Sequence, residues 1–98
     1  MPESITMTDR LRVKLVAALR PDSLTIVDES ARHAGHAGAR EGGETHFRIR
    51  IVSAEFAGLS RVERQRRVYA TLAQEFADGV HALALTTLTP DEAESGRL

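Results

Sequence analysis

One helix held between two strands constrains this chain more than any other feature. Residues 60–69 open with Ser60, a good N-cap, and Glu63 stands three residues on, where its carboxylate reaches back to the cap's own N–H. Val62, Tyr69, Leu72, Ala73 and Phe76 recur at helical spacing, which predicts a buried stripe, while Arg61, Arg64, Arg66 and Arg67 fall mostly on other faces. Before this helix, residues 45–53 set Phe47, Ile49 and Ile51 against His46, Arg48 and Arg50, the alternation of a strand with one core face and one wet face. After it, Gly79 is placed to close the helix, and residues 80–87 read as another strand. Strands joined by a helix are expected to run parallel through a right-handed crossover, as in ~98% of such units.

The rest of the chain arranges itself around that unit. Thr8 is the expected cap of a first helix in which Leu11, Leu15, Ala18 and Leu19 face inward, with Arg10, Arg12 and Lys14 outside. Pro21 and Asp22 stop that helix, and residues 23–27 are apolar and β-branched enough for a short strand. Residues 30–44 hold four glycines in fifteen positions without apolar period, which makes them a long loop. Thr89 and Pro90 read as N-cap and first residue of a short acidic helix, with residues 1–6 and 93–98 frayed. The expectation is a single α+β domain over residues 1–98, ordered αββαβ(α). Its three-stranded mixed sheet is covered by helices on one face, with the first two strands antiparallel.

Composition excludes several classes. Ninety-eight residues support one core, and the absence of cysteine removes disulfides, thiol nucleophiles and cysteine metal ligands. No apolar run approaches the ~20 residues of a membrane span, and the N-terminus lacks a signal-peptide layout, so a soluble, cytoplasmic protein is expected, with no membrane partner. Ser30 near Asp28 and His33 are the only residues that sketch a nucleophile and base, and they lie on a strand end and loop without an oxyanion device. The chain therefore reads as no enzyme.

Two constellations remain. Parallel pairing of the second and third strands puts both their starts at the end of the sheet that carries the long loop. His81, His46, His33 and His36, all the histidines of the chain, gather there. Imidazoles suit zinc, iron or copper, but a structural zinc site takes four ligands, so a metal held here draws others from a partner. The second constellation is basic. Residues 48–67 hold six arginines against Glu55 and Glu63, although the net charge is only −1. Arg61, Arg64, Arg66 and Arg67, with Arg48 and Arg50 on the preceding strand, flank a helix N-terminus entered through Gly58 that can hold phosphate oxygens, unless the arginines simply solvate the helix.

Across nearly its whole length the chain resembles the BolA family. The resemblance rests on Val27-Asp28-Glu29-Ser30, Glu44-Thr45-His46-Phe47, Ile51-Val52-Ser53, Phe56-Ala57-Gly58-Leu59-Ser60, and Val80-His81-Ala82-Leu83-Ala84-Leu85 followed by Thr89-Pro90. It implies an αββαβα fold similar to a class II KH domain, and two functions. One is pairing with a monothiol glutaredoxin to share a two-iron, two-sulfur cluster in iron–sulfur trafficking and iron homeostasis. His81 matches the family's C-terminal histidine ligand, and either His33 or His36 is the loop ligand. The glutaredoxin then brings a cysteine and glutathione a second thiolate, while His46 is a structural neighbour. The other is regulation of transcription and morphology by binding DNA through Gly58, Arg61, Arg64 and Arg67. Against that second mode, the turn holds one glycine and no Gly-x-x-Gly pair, and Gln65 stands where many members carry histidine.

Overall fold

A computed structural model of the protein describes residues 5–29 and 45–95. The chain runs through α1 (Met7–Leu19), β1 (Ser23–Asp28), β2 (His46–Val52), a 3-10 turn (Ala54–Phe56), α2 (Arg61–Thr71), α3 (Ala73–Asp78), β3 (Ala82–Leu88) and α4 (Pro90–Glu94). The sheet order is β1-β2-β3, with β1 antiparallel to β2 and β3 parallel to it, so the fold is the expected mixed α+β arrangement. The expected loop over residues 30–44, with His33 and His36, lies outside the described residues.

The core fills one side of the sheet. Phe47, Ile49 and Ile51 of β2 are buried against Leu11, Leu15 and Leu19 of α1 and Phe56, Val68 and Leu72 of the crossover, while Leu24, Ile26, Leu83 and Leu85 pack at its margins. Burial of each large side chain contributes about 1.5–3 kcal/mol, and the alternation of Phe47, Ile49 and Ile51 with Arg48 and Arg50 along β2 fixes its register. Ser53 closes one end of this core: its buried Oγ donates to Leu19 O at 2.6 Å and accepts from Glu55 N–H at 3.0 Å. The last turn of α1 is thereby tied to the end of β2.

Several boundaries differ from the expectation, each for a local reason. Thr6, not Thr8, caps α1, because a capping box with Asp9 is available only from that position. Arg20, ahead of Pro21, leaves the right-handed helical region and ends α1 in the left-handed one at φ 45° and ψ 58°, its N–H bonded to Val16 O. The third strand starts at Ala82 rather than at residue 80, because buried Val80 still returns its N–H to Glu75 O. Ala93 and Glu94, expected to fray, belong to α4, whose Thr89 and Glu92 form a third capping box.

The crossover helix shows the largest difference. Its capping box between Ser60 and Glu63 is present as expected. Val62 and Tyr69, however, lie on the outer face, 54% and 45% exposed, and Val68 is buried in their place. Val68, Leu72 and Glu75 share a face at i, i+4 and i+7, and that is the face turned to the core. The helix also breaks at Leu72, whose φ of −103° and ψ of 17° separate α2 from α3. Tyr69 instead stacks on Phe76 at a centroid separation of 5.0 Å. Gly79, at φ 140°, ends α3 as expected.

Candidate functional site: the histidine end of the sheet and the basic turn

Parallel pairing aligns His46 with Ala82, which places His81 next to Thr45 at the start of both strands. The His81 N–H donates to Thr45 O at 2.7 Å, and Ala82 N–H reaches the same oxygen at 3.2 Å. The His46 and His81 rings meet edge to face, with centroids 6.0 Å apart and planes at 74°. His81 is exposed, whereas His46 is half-buried and its Nδ1 shares a 2.8 Å hydrogen bond with the Oγ1 of buried Thr45. The strand start thus fixes one imidazole in place and presents the other to solvent.

The end of β1 joins the same corner. Glu29 N–H donates to His46 O at 2.8 Å, and the Glu29 carboxylate takes hydrogen bonds from Arg48 at 2.8 and 3.3 Å. That pairing raises the Arg48 guanidinium above its ordinary range. Residues 29 and 45, which bracket the undescribed segment, therefore both sit beside the histidine pair. Of the expected ligands, the structure locates His81 here; His33 and His36 fall outside the described residues. Among the described residues no group of three or more His, Cys, Asp or Glu side chains is placed to hold a metal ion. With no cysteine in the chain, this corner offers imidazoles and no thiolate, and its described residues supply at most part of a coordination sphere.

The basic turn is organised differently. Gly58 adopts φ 82°, which only glycine takes readily, and a Cβ there would meet nothing within 4 Å, so this glycine serves the turn itself. Arg64 is largely buried, its side chain 11% exposed, and its donors go to Leu59 O, Thr87 O and both Glu92 oxygens at 2.8–3.2 Å. Its guanidinium lies 5.8 Å from the Phe56 ring centroid. Arg67 bonds Glu55 Oε1 at 3.0 Å and approaches the carbonyls of Glu55 and Ala18. Of the three expected phosphate-binding arginines, Arg61 is the one the structure leaves exposed without a recorded ion pair among the described residues. Reading by sequence missed Glu92 as a partner. The Thr89-x-x-Glu92 spacing that builds the capping box was its only visible signal.

The BolA family model, described as BolA-like protein, matches residues 15–92. The chain belongs to the BolA family. It is 47% identical over 88 residues to the UV-induced protein uvi31 of Schizosaccharomyces pombe, covering 86% of each. Identity is also 47% to the chloroplastic protein BOLA1 of Arabidopsis thaliana, where 88% of this chain matches 55% of that protein. Over the BolA portion of the chloroplastic/mitochondrial SufE-like protein 1 from the same plant it is 46%, matching 24% of that longer protein. The solved BolA1 of Arabidopsis thaliana superposes with a TM-score of 0.78 at 42% identity, covering 94% of this chain and 97% of that one. The BolA domain of SufE1 gives 0.77 at 43%, covering 94% and 99%. The αββαβα order expected from the resemblance is thus the fold found. No helix of the described residues is long and apolar enough to cross a membrane.

Proposed function

We propose that this BolA-family chain is a non-enzymatic cytoplasmic adaptor that binds a monothiol glutaredoxin and co-ligates a two-iron, two-sulfur cluster with it, in iron–sulfur trafficking and iron homeostasis. The observation that carries this reading is the exposed His81 ring, beside anchored His46, at the end of the sheet where residues 29 and 45 bracket positions 30–44. The donor chemistry fits a shared cluster rather than one held alone. Two imidazoles, from His81 and from His33 or His36, complete a four-ligand sphere only if a partner's cysteine and glutathione bring thiolates. Bound there, the cluster supplies one-electron and transfer chemistry at a potential raised by imidazole ligation. In this reading His81 presents its ring, and His46 with Thr45 fixes the strand start that aims it.

Binding of DNA through the turn is the second expectation for this family. Arg64 and Arg67 would have to leave Glu92 and Glu55 to meet phosphate, which favours the adaptor. The test is anaerobic reconstitution with a monothiol glutaredoxin and glutathione, read by visible absorption and circular dichroism. A heterodimer spectrum that His81→Ala abolishes supports the adaptor. A spectrum indifferent to His81, or no complex at all, rejects it.

A further inference from the structure

Among the described residues β3 is the terminal strand of the sheet, and half of its main-chain groups are not used by the ladder. Ala82 N–H donates to Thr45 O and Leu88 O accepts from Ser53 N–H, so in this register the even-numbered residues of β3 are those bonded to β2. The N–H and C=O of Leu83 and Leu85 consequently face the open edge, whereas Thr87, in the same phase, is buried with its carbonyl taken by Arg64 at 3.0 Å. Exposed edges are ordinarily protected by charged side chains, proline or bulges. Here the intervening Ala82, Ala84 and Thr86 are small, uncharged and exposed, and the first proline, Pro90, lies beyond the strand.

The outer face of α2 runs beside this edge. A cleft of about 380 Å³ opens between residues 85–88 of β3 and Arg61 and Gln65 of α2, with Arg50 also lining it. On the far side of Gln65, exposed Val62 and Tyr69 flank Arg66 around a second hollow. The charged residues lining both hollows are all arginines. An open strand edge alongside an apolar and basic helix face is the geometry that accepts an added strand.

We infer that this groove receives an extended acidic segment of a partner protein as a fourth strand beside β3. Side chains of an added strand alternate between faces. One set lies over Leu85 toward Val62 and Tyr69 and is apolar. The other lies on the face of Arg50 and Thr86 and carries Asp or Glu. A peptide supplies both donors and acceptors to Leu83 and Leu85, whereas a phosphodiester backbone has acceptors only and leaves their carbonyls unmatched. The interaction goes beyond the cluster reading, since it uses neither His81 nor a metal.

The test titrates the 15N-labelled full chain with a capped peptide of alternating Val and Glu. Controls are the Lys-for-Glu peptide, a block peptide of the same composition, and two versions N-methylated at alternate residues in opposite phases. Expected are saturable shifts of the Leu83 and Leu85 amides with slowed exchange, about tenfold weaker binding of the Lys peptide, and loss of binding for one N-methyl phase only. Arg50→Glu with Arg61→Glu should reverse the charge preference while circular dichroism stays unchanged. No saturable shift, equal binding of the block or Lys peptide, or N-methyl phases that behave alike overturns the inference. So does single-stranded DNA shifting these amides where the peptide does not, or self-association of the free chain protecting the same edge.

Discussion

Arg64 and Glu92 form a fork-to-fork pair, Nη1 to Oε1 at 2.8 Å and Nη2 to Oε2 at 3.2 Å, that locks the second turn of α2 to α4. The same guanidinium donates to Leu59 O and Thr87 O, so one side chain joins the turn before α2, the end of β3 and the last helix. We predict that Arg64→Ala costs about 1–3 kcal/mol, because carbonyls are left without a donor. Arg64→Lys should recover only part of that, since an ammonium cannot reproduce the planar fork. Urea unfolding should show a lower midpoint at unchanged slope. A wild-type midpoint in Arg64→Ala would mean the pair is incidental.

The same contact sets an acid response. Arg64, and after it the Thr89 N–H, holds the Glu92 carboxyl down to about 2 from the ordinary 4.5. A carboxyl depressed in the folded state contributes stability that is complete above its unfolded value and is lost as pH falls through the folded one. We predict declining stability between pH 4.5 and about 2, with a shallower decline in Glu92→Gln. Asp78, lowered by its 2.6 Å bond from Arg10, acts in the same direction and should leave a residual slope. Identical slopes for wild type and Glu92→Gln would remove Glu92 from the account.

Glu75 is the one charged residue buried in the core among the described residues, 1% exposed, and it accepts from Arg10 Nε and Nη2 and from Lys14 Nζ at 3.1–3.2 Å. Removing one member of a buried pair typically costs about 3–5 kcal/mol; both cations here keep partial contact with water, so we predict about 2–3 kcal/mol for Glu75→Ala. Added Lys14→Met should not deepen the loss, because the ammonium it removes has already lost its partner. Strictly additive losses in thermal unfolding would contradict a shared network.

What the sequence made legible is the strand–helix–strand unit, because period-two alternation in β2 and the capping box of Ser60 and Glu63 carry their own signals. It also made legible the meeting of His46 and His81, which follows from parallel pairing alone. The rotation of α2 was not legible. That helix bears two apolar sets at helical spacing, Val62 with Tyr69 and Val68 with Leu72, and only packing against α1 and the sheet selects the second. Nor were the ends of Arg64 and Glu75 visible, since their partners lie 28, 65 and 61 positions away and no local pattern encodes them.

Arg20 holds a left-handed backbone at φ 45° without being glycine or asparagine. Such a position costs a residue that carries a Cβ on the order of 1 kcal/mol, and replacing it by glycine recovers this only in part because of glycine's extra chain entropy in the unfolded state. We predict that Arg20→Gly is neutral to about 1 kcal/mol stabilising, and that Arg20→Val is destabilising. Chemical denaturation of the three proteins orders them; a glycine variant clearly weaker than wild type would show that the arginine side chain, not the backbone, matters there.

The final prediction separates the two rings at the start of the strands. If His81 is a ligand and His46 its neighbour, then His81→Ala removes the reconstituted heterodimer spectrum, whereas His46→Ala retains absorption and alters the visible circular dichroism. The reason is anchoring: His46 is half-buried with its Nδ1 held by Thr45 Oγ1 at 2.8 Å, so in this reading it shapes the surroundings of whatever exposed His81 binds. His33→Ala and His36→Ala, made singly, should then be unequal, with one resembling His81→Ala and the other close to wild type. Loss of the spectrum in His46→Ala, with both loop variants unaffected, would instead make His46 and His81 the ligand pair and relieve the loop of that role.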